Sequence, residues 1–335
     1  MEFDPSRFFR ADGSPSPYAL LVLNQPINER AFAVLSEHTS HIVCADGASN
    51  HFYDLMKAQG KESTELPDAI VGDLDSILPS VRKHYEELGV FILQDEDKYS
   101  PDFSKCLKYL NEHAAEIIAA PRYNARESPS NGQPPAKMRK PTQPSSDPML
   151  DIVALGGLGG RVDQAFSQIS HLYMVAQTQR ELREARGCQS ESDDEQKVVD
   201  PAAGGNLYLV SEESVTFILQ EGKNVIHTPC TNRTDLENPP PSAECLSDEP
   251  EVGQKRKRAE KAEQEFFFEE NIGIIPLSGP TSISTKGFNW DVQDWPTKLG
   301  GQISTSNYIR ADKVEVEASK PVLFTVELAQ RLKRA

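Results

Sequence analysis

Acidic residues recur in this sequence at one kind of place, the point where a short apolar run gives way to polar residues. Ala69-Ile70-Val71 leads into Gly72-Asp73-Leu74-Asp75-Ser76, His41 to Ala45 leads into Asp46-Gly47, and Val90 to Leu93 leads into an acidic stretch reaching Asp102. If the chain continues extended past Val71, Asp73 and Asp75 point to the same side, and Gly72 lets the backbone turn or approach a ligand closely. Two carboxylates about 4 Å apart repel by about 4 kcal/mol at an effective dielectric near 20, so something must neutralise them. A hard divalent cation such as Mg²⁺, bridging phosphate oxygens, meets that demand. The alternative for this hexapeptide alone is an Asx-type turn with Ser76 capping the next helix.

A second constellation follows the apolar run Leu150 to Leu155, namely Gly156-Gly157-Leu158-Gly159-Gly160-Arg161-Val162-Asp163-Gln164. It fits neither phosphate fingerprint: a Walker loop requires Gly-Lys-Ser/Thr where Gly160-Arg161-Val162 stands, and a dinucleotide pattern from Gly157 requires glycine at Val162. Four glycines at a strand-to-helix turn still expose backbone N–H groups at a helix N-terminus, which suits an anion, and Arg161 offers a fork for phosphate. A tight turn with Arg161 paired to a surface carboxylate is the alternative.

These residues need a scaffold, and the apolar pattern supplies one. Runs at 18–23, 41–45, 69–71, 90–93 and 150–155 read as strands. Between them lie helical patterns, one capped by Asn28, one entered at Pro79, one running through Cys106 and Leu110 to about Ala120, and a long one from Ala165 to about Arg183. Alternation with short links predicts a parallel sheet whose ligands sit outside the carboxyl ends of its strands, the edge that carries Asp46, Asp73, Asp75 and Asp102. After residue 205 the runs at 206–210, 215–219, 224–227, 272–277, 313–316 and 322–326 are short and β-rich, which predicts an antiparallel sandwich. The expected fold is therefore α/β: a Rossmann-like parallel-sheet domain over 18–186, then a C-terminal antiparallel β-sandwich domain over 206–330. Polar segments at about 121–148 and 231–264 read as insertions, and 1–17 and 187–205 as flexible. The basic tetrad Lys255-Arg256-Lys257-Arg258 is flanked by acids and reads as a solvated run, leaving nuclear entry open.

Composition narrows the function classes. The chain has 335 residues, 38% hydrophobic and 26% charged, which accommodates two cored domains. A net charge of −16 argues against a nucleic-acid or acidic-membrane surface and for small-molecule partners. Five cysteines without CxxC spacing, and no leading or spanning apolar segment, fit a cytoplasmic setting.

Two further blocks, Ser284-Thr285-Lys286-Gly287-Phe288-Asn289-Trp290-Asp291 and Ile303-Ser304-Thr305-Ser306-Asn307, make the pattern specific. Together with Ala45 to Ala48, Gly72 to Ser76, Asp102 to Lys105 and Gly156 to Gln164, they occur in family order, and the chain resembles the eukaryotic, fungal-type thiamine pyrophosphokinases. The resemblance spans about residues 18 to 327 outside the insertions. It implies transfer of the terminal pyrophosphoryl group of ATP to the hydroxyl of thiamine, and a homodimer with active sites between subunits. It also implies that Asp73, Asp75 and Asp102 hold Mg²⁺ and the ATP phosphates, with Asp46, Gly47, Lys105, Gly157, Gly159 and Arg161 on the nucleotide. Asp163, Gln164, Ser284, Trp290, Ser304, Ser306 and Asn307 then fall to thiamine.

The sequence departs from the family pattern at Pro101, where Thr is usual, and at Lys98, where Gln is usual; Gln164 stands where many bacterial members have His. The chemistry agrees independently, because attack on a phosphorus demands in-line positioning and charge neutralisation more than covalent catalysis. Asp75 and Asp102 are the candidates for accepting the hydroxyl proton. Two alternatives remain at this stage. Another small-molecule kinase explains the strand-exit acids but not the Trp290 and Ser304 to Asn307 blocks, while an inactive thiamine sensor has little need of Asp73, Asp75 and Asp102 together.

Overall fold

The computed structural model describes residues 1–11, 13, 16–122, 149–187, 204–233 and 266–334. Most of the expected insertions at about 121–148 and 231–264, the basic tetrad at 255–258 and most of 187–205 lie outside the described residues, while Arg122 pairs with Asp68 and Thr231–Asn232 forms a short strand. In chain order the first part runs β1 (Glu2–Phe3), a 3-10 turn (Pro5–Phe9), β2 (Tyr18–Val22), α1 (Glu29–Leu35), β3 (His41–Ala45), α2 (Ala48–Ala58), β4 (Ala69–Gly72) and α3 (Pro79–Glu87). It continues with β5 (Phe91–Gln94), α4 (Asp102–Glu112), α5 (Ala114–Ala119), β6 (Asp151–Leu155), α6 (Val162–Gly187) and β7 (Leu207–Val210). Among the described residues the second part is all strand: β8 (Ser214–Leu219), β9 (Gly222–His227), β10 (Thr231–Asn232), β11 (Phe268–Ile275), β12 (Thr281–Lys286), β13 (Trp295–Thr297), β14 (Ser304–Tyr308), β15 (Lys313–Ala318) and β16 (Val322–Leu328).

The anticipated parallel sheet is present, in the order β6-β2-β3-β4-β5 with every pair parallel. Its apolar runs are continuous rather than alternating because helices cover both faces, and every residue of β2, β4 and β6 is buried. Local signals act as read: the Asn28 side chain accepts from the Ala31 N–H at 3.2 Å, and Pro79 opens α3. The helix expected to reach about Ala120 is interrupted at His113, whose φ of −113° and ψ of 13° separate α4 from α5.

Two expectations need correction. Leu207–Val210, read as the first antiparallel strand, instead pairs parallel with β6 and closes the Rossmann-like half. β8 then returns antiparallel to β7, followed by β16 and β11, so a single eleven-stranded sheet passes without a break from the parallel half into the antiparallel half. A second sheet of five strands, β1-β9-β15-β12-β13, completes the sandwich. The other correction concerns residues 1–17, read as flexible. Residues 2–3 pair with β9, the rings of Phe3, Phe8 and Phe9 are buried, and Arg7 forms an ion pair with Asp151 on β6. Polar composition hid three phenylalanines, each worth about 1.5–3 kcal/mol on burial. Phe3 meets Phe217 of β8 with ring centroids 5.1 Å apart, so the N-terminus helps join the two sheets.

Candidate active site

The parallel strands deliver their exits to one edge, as anticipated. Asp46 follows β3, Asp73 follows β4, and Asp102 is the first residue of α4. Among the described residues, one oxygen from each of these three carboxylates lies within 4.8 Å of the others. Asp46 is fully buried, and its two oxygens accept from the Ser76 and Ile77 N–H groups, each at 3.0 Å. Burial raises its pKa despite those hydrogen bonds, with the charges of Asp102 and Asp73 adding to the rise. Asp102 Oδ1 accepts from the Asp73 N–H at 3.3 Å and from Lys105 Nζ at 3.2 Å.

Lys105 is the cation inside this cluster. Its side chain is 2% exposed, and Nζ also lies 3.8 Å from Asp73. Burial by itself would lower its pKa, but the hydrogen bond and charge of Asp102, with the charges of Asp73 and Asp95, outweigh burial and raise it. One positive charge among three carboxylates leaves the site strongly negative. Three hard oxygen donors suit Mg²⁺ rather than a soft metal, so the residues present fit that ion.

The expected pairing of Asp73 with Asp75 does not hold. Leu74 has a φ of +64°, so the chain turns after Asp73 and the alternation argument fails. Asp75 is exposed, its N–H donates to Asp73 Oδ1 at 3.3 Å, and its carboxylate accepts from Ser76 Oγ at 2.7 Å. Asp46 takes the third place in the cluster instead. The hexapeptide thus contains the Asx-type turn named as its alternative and still contributes Asp73 to the acid cluster. Gly72 is required by close approach: a Cβ there would lie 2.6 Å from the Asp46 Cβ and 3.0 Å from Asp102 Oδ1.

On the other side of β2, at the point where strand order reverses, sits the glycine loop. Its N–H groups are less free than expected. Those of Gly156 and Gly157 reach the Val210 carbonyl at 3.1 and 3.4 Å, and that of Leu158 donates to Gln168 Oε1 at 2.6 Å. Arg161 and Asp163 form a two-pronged pair at 2.6 and 3.1 Å, both exposed, which is the surface pairing named as the alternative for Arg161. Gln164 beside them is exposed. Gln25, Gln168 and His171 had no signal in the sequence reading. Gln25 approaches Gly160, and the other two are buried on α6. Only knowledge of which α6 face turns inward could have marked Gln168 and His171.

The remaining predicted residues gather in the second half of the chain. A cavity of about 300 Å³ is lined by Trp290, Trp295, Thr285, Ser304, Ser306 and Asn307. Trp290 is 55% exposed and rests on Tyr308, centroids 5.2 Å apart. Asn307 is buried and spans the Trp290 backbone, accepting its N–H at 3.1 Å and donating to its carbonyl at 2.9 Å. It therefore holds the indole's backbone in place, a different role from the substrate contact expected of it. Ser284 does not join this cavity. It lines a neighbouring one of about 470 Å³ with Asp294 and Glu317, because alternate residues of β12 face opposite ways, and its Oγ accepts from the Asp294 N–H at 2.9 Å.

These two halves sit toward opposite ends of the large sheet. From β14, which carries Ser304 and Asn307, to β4 the sheet takes eight strand steps, or about 38 Å along the sheet at about 4.8 Å per step.

Known proteins resemble this chain in sequence and in fold. Residues 32–183 match the family model for the catalytic domain of thiamin pyrophosphokinase, and residues 258–323 match that for its vitamin B1 binding domain. The chain is 24% identical to thiamine pyrophosphokinase 1 of Oryza sativa subsp. japonica, over 95% of this chain and 90% of that protein. It is likewise 24% identical to thiamine pyrophosphokinase of Saccharomyces cerevisiae, over 92% and 85%. Its fold resembles the crystal structure of the yeast thiamin pyrophosphokinase, with a TM-score of 0.65 at 22% identity over 98% of this chain and 90% of that one. The thiamin pyrophosphokinase from Candida albicans gives a TM-score of 0.64 at 22% identity over 98% and 92%. The catalytic-domain match takes in every member of the acid cluster and the whole glycine loop, the B1-binding match takes in Trp290 and Asn307, and the chain belongs to the thiamine pyrophosphokinase family.

Proposed function

We propose that this enzyme transfers the pyrophosphoryl group of ATP to the hydroxyl of thiamine, releasing AMP and thiamine diphosphate. The observation that carries the reading is the convergence of Asp46, Asp73, Asp102 and Lys105 at the carboxyl edge of the sheet, beside the glycine loop. Asp73 and Asp102, with Asp46 behind them, would hold Mg²⁺. When bound there, the ion neutralises the charge of the phosphate oxygens and makes the transferred group a better electrophile. Lys105 supplies a fixed positive charge on the same phosphates. Arg161 exchanges Asp163 for a phosphate oxygen, freeing Asp163 to face the thiamine side, while Gly47, Gly157 and Gly159 let the backbone approach the nucleotide. Of the two candidates for accepting the hydroxyl proton, Asp75 and Asp102, Asp75 is the one left free of the metal and would take that role.

Trp290 and Trp295 offer indole faces to the cationic thiazolium ring, with Ser304 and Ser306 at the rim and Ser284 in the adjoining cavity. Donor and acceptor must meet at about 3–3.5 Å, whereas the two halves of one chain stand about 38 Å apart along the sheet. This separation supports a homodimer in which one subunit's acid cluster faces its partner's tryptophan cavity. Val162, Phe166 and Met174 on α6, all more than half exposed, offer apolar area for that contact.

The test is direct: purified protein with ATP, Mg²⁺ and thiamine should form AMP in step with thiamine diphosphate. Formation of ADP would mean single-phosphoryl transfer and a different kinase chemistry.

A further inference from the structure

The proposed mechanism gives no task to His171 and Ser104, which join α6 to the head of α4. His171 of α6 is 9% exposed, and its Nε2 lies 2.6 Å from Ser104 Oγ in the first turn of α4. Its Nδ1 is 2.7 Å from the Ser167 carbonyl, which can only accept, so in the neutral ring Nδ1 carries the hydrogen and Nε2 accepts from the Ser104 hydroxyl. The Phe103 ring packs edge-on against the same imidazole, centroids 5.1 Å apart. Two successive residues of the Asp102-to-Lys105 block are thus docked on one side chain. Gln168, three residues earlier on the same face of α6, accepts from the Leu158 N–H and so steadies a residue with a φ of +60° in the glycine loop.

The start of α4 is tied to β4 on one side, where Asp102 accepts from the Asp73 N–H, and the His171 contact ties it to α6 on the other. Pro101 occupies its N-cap and makes no side-chain capping bond. Asp102 and Lys105 nevertheless have to meet Asp73 from a different element. We propose that His171, acting through Ser104, is a positioning residue: with Gln168 it makes one face of α6 a brace that holds the Asp102 end of α4 in register with the glycine loop. The inference rests on the pyrophosphoryl-transfer reading for its catalytic consequence, but not for its geometry.

Groups that orient metal ligands from behind typically change metal affinity or activity by about 10- to 100-fold when removed. Ser104→Ala and His171→Leu should each weaken Mn²⁺ binding to the nucleotide-free protein and lower kcat by about tenfold, with the KM for thiamine unchanged. The double variant should fall no further than the weaker single variant, because both changes remove one contact. His171→Gln, whose side-chain oxygen can still accept from Ser104, should recover most of the loss. Variants that melt earlier but keep native Mn²⁺ affinity and kcat would overturn the brace, as would a double variant whose losses multiply or a His171→Gln no better than His171→Leu. If the native chain makes no AMP, the reaction assignment fails by itself, and Mn²⁺ affinity across the same variants still decides whether the brace exists.

Discussion

The acid cluster and the tryptophan cavity solve opposite problems. Each carboxylate of the cluster stands at the end of a buried strand or at the head of a helix, and Asp46 has both oxygens committed to backbone N–H groups. Charge development on a phosphate rewards that rigidity, since fixed dipoles and ions need not reorganise during reaction. The cavity instead presents an indole on a loop, over half exposed, with its backbone held by Asn307 and one ring face resting on Tyr308. A flat organic cation needs an open aromatic face. The comparison teaches that one chain builds a rigid charged half and an open aromatic half, and the proposed reaction requires a second copy to bring the two together.

The largest expected effects come from breaking the charged half. Asp73→Asn removes one charge from the cluster without adding volume and should lower kcat by about a hundredfold or more, with a matching loss of Mn²⁺ binding. Asp75→Asn should also lower kcat by about a hundredfold, as for a lost general base, while Mn²⁺ binding stays near native because Asp75 stands outside the cluster. Parallel loss of metal binding in both variants would return Asp75 to the metal set.

Mixing tests the division between copies. Asp73→Asn and Trp290→Ala lie in different halves, so a dimer made of one of each holds one native site and one doubly altered site. Coexpression at limiting thiamine should give about one quarter of native activity, since about half of the dimers are mixed and each has one of two sites intact. Activity no higher than the mean of the two parents would place both halves of a site within one subunit. Gly72→Ala comes next. Its Cβ would press on Asp46 and Asp102, which should cost about 1–3 kcal/mol of stability, measurable in denaturant, and loosen Mn²⁺ binding with it.

Much of the charged half was legible because strand exits are periodicity signals: a buried run ends, and the next polar residues must lie on the edge. What the sequence hid was rotation within that edge. Leu74 and Asp46 both adopt positive φ, a choice made by surrounding packing rather than by residue type, and this choice moved Asp75 out and Asp46 in. The sandwich half was less legible. Residue blocks located Trp290 and Asn307, but the alternation of β12 put Ser284 in a different cavity, and the pairing of β7 with β6 depends on partners over fifty residues apart. Long-range pairing leaves no local trace, which is also why the three phenylalanines of the N-terminus read as part of a polar tail.

The gentlest expected effect is on the open half, and it separates a substrate-facing indole from a structural one. In Trp290→Ala the KM for thiamine should rise about tenfold while that for ATP stays near native, since a partly desolvated cation on an indole is worth about 1–2 kcal/mol and 1.4 kcal/mol is one decade. The melting temperature should hardly move, because more than half of the residue is already in water. A core tryptophan would behave in the reverse way, losing about 3–5 kcal/mol of stability without favouring either substrate. Asn307→Ala sharpens the point. It leaves the indole in place but removes both bonds to the Trp290 backbone, so it should raise the thiamine KM by less than the loss of the ring does, while lowering the melting temperature more, because buried backbone groups lose their partner. If Asn307→Ala instead raised the thiamine KM more than Trp290→Ala at an unchanged melting temperature, the asparagine would be touching thiamine itself, and its hold on the Trp290 backbone would give way when substrate binds.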